Sequence, residues 1–283
     1  MAEHFVRPPD WTWYILAYFF FAGLTGGMYA LGAMLRLWGR PGDEAVARTA
    51  FLWAFPILVV CPILLTIDLG KPLRFFHMLV STTPGEGGLI FHYWSPMSVG
   101  SWALLVYGIF ALVSFLEALR GRPGGGRLFT TIGGLLGLFV ASYTGVLLSV
   151  SNQPLWSDTW TLGGLFLASG LSGAAALLAL VARGEAAAAG TDTRLLVADG
   201  YFALLELVWI LLLFATLAAA GTLSVTLRAP WIVLWLLVLV GLVPPLMAIG
   251  GRERARRGAA LVALLALVGV LALRAVIIFS AQG

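Results

Sequence analysis

The sequence predicts an all-α integral membrane protein that crosses the bilayer eight times. Three observations carry this. First, 60% of the 283 residues are hydrophobic, only 11% are charged, and mean hydropathy is +0.97. An ordinary soluble domain carries about 25% charged residues. So little polar surface cannot coat a water-soluble domain of this size, and a disordered chain needs the opposite composition. Second, the apolar residues fall into eight runs of the length a helix needs to cross the hydrocarbon core, at about 13–38, 48–69, 97–119, 128–150, 162–182, 199–220, 231–250 and 258–279. Third, the cations gather in the connectors on one side of these runs. The pI of about 9.6 and net charge of +4 thus read as basic membrane loops rather than a nucleic-acid surface.

The first run lacks a basic leader and continues for about 26 residues, unlike a cleaved signal peptide. It contains AYFFFAGLTGGMYALGAM, with Gly23, Gly26, Gly27 and Gly32 spaced so that other helices can approach closely. RPGDE at 40–44 turns the chain. The second run contains Pro56 and Pro62, which predict a bend, and it ends at Asp68, where Leu69-Gly70-Lys71-Pro72 stops a helix. A long connection, about 70–96, leads to the third run. GRPGGG at 121–126, the alanine-rich linker 186–189 with Gly190, and GRERARR at 251–257 separate later runs. No connector is long enough for a soluble domain.

Eight spans place both termini on one side. Arg36, Arg40, Arg48, Arg120, Arg122, Arg127, Arg183, Arg194, Arg252, Arg254, Arg256 and Arg257 flank the loops after the odd-numbered spans. The other side has Arg7, Lys71, Arg74 and Arg228, with Arg274 just inside the last span. This bias puts the termini and the 70–96 connection outside the cytoplasm. That connection holds Lys71, Arg74, His77, Glu86, His92, Tyr93 and Trp94. Long ordered loops tend to be functional, although Tyr93 and Trp94 also suit an interfacial aromatic belt.

Ionisable residues inside spans are costly and tend to be functional. Asp68 ends the second span; its purely structural role is a pair with Lys71 or Arg74 that fixes the turn. Tyr143, in SYTGVLLSVSNQPLW, sits about 10 Å below the outer end of the fourth span at 1.5 Å per residue. Small neighbours leave room there for a ring-shaped ligand; a buried tyrosine bonded to a carbonyl is the alternative. Glu206 is expected about two turns into the sixth span. Arg274, near the outer end of the last, could neutralise Asp68. Cys61 is the single cysteine, and His4, His77 and His92 lie outside the apolar runs. The chain therefore lacks the ligands for an iron–sulfur cluster, and haem held between its spans is not expected.

The strings DLGKPLRFFHML at 68–79, SPMSVGSWAL at 95–104 and SYTGVLLSVSNQPLW at 142–156 resemble the NrfD/polysulfide-reductase membrane-subunit family. The resemblance extends through GLTGG at 23–27, LFLASGLSGAAA at 165–176 and LRAVIIFSAQ at 273–282. It implies two four-helix bundles, 1–155 with the functional site and 156–283 in support, in a bacterial or archaeal cell membrane. It further implies a quinone (menaquinone or ubiquinone) bound near the outer face, with no haem or metal in the chain. A ferredoxin-like iron–sulfur subunit would dock outside, connected to a molybdopterin catalytic subunit; membrane lipid is the remaining partner.

Carried over by position, Tyr143 matches the family's quinone-site tyrosine and Asp68 its acidic residue, with His77 in the turn beyond. Where some relatives carry His and Asn, this chain offers Tyr14 and Tyr18 in WYILAYFF. Tyr143 would donate to a ring carbonyl, Asp68 or His77 accept a proton, and Lys71 or Arg74 stabilise a developing anion. A proton path through Asp68, Glu206 and Arg274 is a further expectation. The competing readings are a secondary transporter and a purely structural anchor.

Overall fold

The computed structural model describes residues 8–81, 87–121, 125–184, 190–249 and 259–283. His4, Arg7, Glu86, Arg122, the linker 186–189 and the GRERARR arginines lie outside the described residues. Eight long apolar helices follow one another: α1 (Trp13–Trp38), α2 (Glu44–Asp68), α3 (Pro96–Leu119), α4 (Gly126–Ser149), α5 (Leu162–Val181), α6 (Asp192–Ala220), α7 (Trp231–Ala248) and α8 (Ala259–Ser280). Each is long and apolar enough to cross a membrane.

Two helices start earlier than hydropathy suggests. α2 begins at Glu44 because that carboxylate accepts from Arg36 at the end of α1, at 2.5 Å from Nη2. α6 begins at Asp192, seven residues before the expected start, because its first turn is held by an ion pair rather than by apolar burial. Arg194 donates through both terminal nitrogens to Asp43, which is completely buried in the turn between α1 and α2. α2 remains one helix through Pro56 and Pro62. It stops at Asp68, after which Gly70 adopts a left-handed conformation (φ +68°) that a side chain would strain.

The 70–96 connection is more ordered than a simple loop. Pro72–Met78 forms a 3₁₀ helix, and two short strands, β1 (Val80–Ser81) and β2 (Gly88–Leu89), pair antiparallel with Val80 opposite Leu89. Among the described residues this ribbon is the only sheet.

α1 is the most deeply buried span and α3 the least. The α1 glycines explain how. A Cβ on Gly26 would overlap the Gly137 carbonyl of α4, and one on Gly27 would meet Ala174 and the Gly170 carbonyl of α5. One glycine stripe thus seats two helices, and polar pairs fix α1 against its other neighbours. Thr25 Oγ1 donates to the Ala54 carbonyl of α2 at 2.7 Å, and Tyr107 of α3 donates to the Thr25 carbonyl at 2.8 Å. In the pattern of helix contacts, α1–α2–α3–α4–α1 closes one ring and α5–α6–α7–α8–α5 another, joined where α5 packs on α1 and α4.

The first and last described segments meet at one end of the molecule. The Trp11 N–H donates to Gln282 Oε1 at 2.6 Å, and the Trp11 ring stacks on Trp156 at 5.0 Å. Trp156 in turn donates to the Ile277 carbonyl at 2.7 Å.

Candidate functional site

The sequence-predicted residues fall into three places. The first is an open groove of about 860 Å³ just beyond the end of α2, lined by Leu69, Gly70, Lys71, Arg74, His77 and Met78. Its three basic side chains are exposed. The 3₁₀ helix brings them together, since its three-residue turn stacks residues 71, 74 and 77 along one edge. His77 Nδ1 donates to the Arg74 carbonyl at 3.2 Å, which puts the acceptor lone pair of the neutral ring on Nε2. The ring also stacks on Phe76 at 4.3 Å. Asp68 is half-buried at the last turn of α2. Among the described residues no ion pair within 4 Å joins it to Lys71 or Arg74, so the purely structural alternative, a pair that fixes the turn, is not formed.

The second place lies deeper. Tyr143 of α4 is half-buried, stacks on Phe139 at 5.6 Å and donates its hydroxyl to the Pro96 carbonyl in the first turn of α3. Gly100 makes room for it, because a Cβ there would sit about 2.5 Å from the phenol oxygen. Tyr18 of α1 is buried within electrostatic range of Tyr143 and of Cys61 on α2. Asp68 is seven residues beyond Cys61, two turns up the same face of α2, so it stands above this pair. Tyr14 is only half-buried; its ring lies 4.0 Å from that of Trp13 and packs against the apolar core.

The third place is a buried polar line through α5, α6 and α8. Asp199 accepts from Ser172 at 2.6 Å. Glu206, seven residues along the same face of α6, interacts electrostatically with both Asp199 and Arg274. The Arg274 guanidinium is completely buried. Its Nη1 donates to Ser169 at 2.8 Å and to the Val270 carbonyl at 3.1 Å, its Nη2 to Phe166 at 3.3 Å, and its Nε to the Phe19 carbonyl of α1 at 3.1 Å. Arg274 therefore does not neutralise Asp68, because each of its three nitrogens is engaged in the interior, and no ion pair within 4 Å joins it to a described carboxylate. Nor is Glu206 two turns deep. Because α6 starts at Asp192, Glu206 lies about 21 Å along it, near mid-span. Among the described residues no group of three or more His, Cys, Asp or Glu side chains is arranged to hold a metal ion.

A sequence profile described as polysulfide reductase, of the NrfD type, matches residues 5–283. The chain belongs to the NrfD/polysulfide reductase family. Similar proteins include the C subunit of the selenate reductase of Mesobacillus selenatarsenatis, 31% identical over 108 residues, or 38% of this chain and 22% of that protein. The corresponding C component of the polysulfide reductase of Wolinella succinogenes is 28% identical over 184 residues, covering 57% of this chain and 55% of the relative. The chain thus spans about a fifth and about half the length of these relatives. Eight apolar helices and membership of the NrfD family make it a multi-pass membrane protein.

One buried carboxylate of this NrfD protein escapes a reading by hydropathy. Asp199 falls at the expected start of the sixth span, where an acidic residue reads as an interfacial cap. Its seven-residue spacing from Glu206 was the available signal, since that spacing puts two carboxylates on one helical face. The contact of Arg274 with α1 had no sequence signal at all, because 255 residues separate it from Phe19.

Proposed function

We propose that this NrfD protein is the quinone-reactive membrane subunit of an oxidoreductase complex, passing electrons between the membrane quinone pool and an iron–sulfur subunit docked on the outer face, itself connected to a molybdopterin catalytic subunit. The observation that carries the reading is the convergence of Lys71, Arg74 and His77 on one groove beside Asp68, with Tyr18 and Tyr143 packed beneath. The names of the relatives support membership in a redox complex. The arginine bias supports termini, groove and docking loop outside the cytoplasm. The two closed rings of helix contacts support a first bundle that carries the site and a second that backs it.

The residues present fit a quinone. A quinone carries the two-electron, two-proton redox change when bound. Its ring oxygens need hydrogen-bond donors, and the groove supplies the Lys71 ammonium, the Arg74 guanidinium and the His77 ring. Tyr143 meets the need by exchanging its acceptor, since its hydroxyl is held by the Pro96 carbonyl in this structure. Asp68 and His77 Nε2 are positioned to accept protons, and the two cations favour a developing anion. Tyr14, packed on Trp13, shapes the entrance.

For proton conduction we infer a line through Asp199, Glu206 and Arg274 that ends at the Phe19 carbonyl, beside Tyr18. Asp68 belongs to the outer site rather than to this line. A secondary transporter would also gather polar groups at mid-span, but on broken helices; α6 and α8 are continuous.

The test is Tyr143→Phe in the assembled complex. Quinone-linked turnover is expected to fall about a hundredfold, the lower end of the range for losing a hydrogen-bond donor to developing charge (~10²–10³). Complex assembly and electron transfer from artificial donors should be unchanged. Normal quinone-linked turnover overturns the assignment.

A further inference from the structure

At the end of the molecule opposite the first and last described segments, a second groove of about 470 Å³ opens between the chain that leaves α1 and the start of α6, lined by Arg40, Gly190, Thr193, Arg194, Val197, Ala198 and Tyr201. From this groove the structure assigns a binding site for one anionic glycerophospholipid, with the phosphodiester at Arg40 and Arg194 and an acyl chain laid down α6.

Two features set this groove apart from ordinary lipid-facing surface. The first is the basic head. Arg40 is exposed, whereas Asp43, the nearest carboxylate, is turned wholly inward. Its oxygens are taken by Arg194, by the Thr191 hydroxyl and by the Arg40 backbone N–H at 2.8 Å. The acid therefore locks Arg194 in place without presenting its own charge to the groove. Asp192, half-exposed at the start of α6, accepts from the N–H and hydroxyl of Thr193, and Arg36 is already paired with Glu44. Among the described residues lining the groove, Arg40 is the cation with no carboxylate bonded to its side chain. The second feature is the tract below. Residues 194, 197, 198 and 201 share one face of α6, so the lining runs from a guanidinium through Val197 and Ala198 to Tyr201 over about 10 Å. Tyr201 is 58% exposed and turns an aromatic face outward. A cationic head above a narrow apolar strip at the edge of a span matches a phospholipid in charge order and in direction. Basic pockets between spans bind such headgroups. This inference does not depend on the quinone reading.

The experiment uses the full chain purified in a non-ionic detergent. Wild-type protein is supplied with phosphatidylglycerol, phosphatidylcholine or inorganic phosphate, and retained lipid is counted by native mass spectrometry. One phosphatidylglycerol per chain is expected to survive at lipid levels where phosphatidylcholine does not, with inorganic phosphate failing to displace it. Arg40→Ala removes the free cation and leaves the Asp43–Arg194 pair intact. It should weaken phosphatidylglycerol retention about fivefold, the worth of one basic residue at an anionic surface. Tyr201→Ala should weaken phosphatidylglycerol retention without restoring phosphatidylcholine binding. Equal retention of the two lipids, full displacement by inorganic phosphate, or unchanged retention in Arg40→Ala protein with its native melting temperature each overturns the site.

Discussion

Replacing Arg274 with methionine tests the buried polar line most directly. Methionine keeps much of the length and apolar volume of the stem but removes the charge and four hydrogen bonds, to Phe19, Phe166, Val270 and Ser169. Three of the four acceptors are helix carbonyls, which helical hydrogen bonding also serves. The bonds to Phe19 and Ser169 tie α8 to α1 and α5, and hydrogen bonds from a charged group contribute ~1.5–3 kcal/mol each. Arg274→Met is therefore expected to destabilise the folded chain by ~2–4 kcal/mol, read as the unfolding midpoint of the purified protein in detergent. Glu206 is buried, but among the described residues no ion pair within 4 Å joins it to Arg274, so the effect of Glu206→Gln should add to that of Arg274→Met. A loss below about 0.5 kcal/mol for Arg274→Met would refute its role in tying α8 to its neighbours.

Asp43→Asn keeps the shape of the buried side chain but removes the charge that holds Arg194, whose side chain is 37% exposed and regains water. A loss of ~1.5–3 kcal/mol, the worth of a charge-assisted hydrogen bond, is expected by the same measurement, and a change below about 0.5 kcal/mol would show that the pair does not hold α6 to the α1–α2 turn. Gly26→Ala forces a methyl against the Gly137 carbonyl and is expected to cost ~1–3 kcal/mol. Gly70→Ala meets no neighbouring atom, so a loss there reflects only its left-handed backbone and should be smaller. Lys71→Gln together with Arg74→Gln should lower quinone-linked turnover in the assembled complex and flatten its dependence on ionic strength, because both cations are exposed and screened by salt. Unchanged salt dependence would separate the groove from the reaction.

The eight helices were legible in the sequence because the bilayer imposes a length and a composition that each span must satisfy by itself. Their starts were less legible. Hydropathy places the start of α6 at residue 199, but Thr191 and Arg194 extend it by two turns through contacts with Asp43, which lies about 150 residues away in the chain. That shift moved Glu206 to mid-span and turned Asp199 from an apparent cap into a buried carboxylate. The candidate site was partly legible for the same reason. Lys71, Arg74 and His77 are neighbours in sequence, so their gathering follows from local 3₁₀ geometry.

What the sequence determined by itself was therefore everything a segment settles alone or with its immediate neighbours. This covers the membrane class, the number of spans, the break at Leu69-Gly70-Lys71-Pro72 and the family signature. Only the tertiary structure decided which polar groups share an interior. It bonded Arg274 to α1 and α5 rather than to Asp68, set the Tyr143 hydroxyl on the first turn of α3, and placed Arg40 and Arg194 around one groove. A buried charge or hydroxyl is satisfied by whichever partner packing brings within reach, and in a helical bundle that partner lies on a helix distant in the chain.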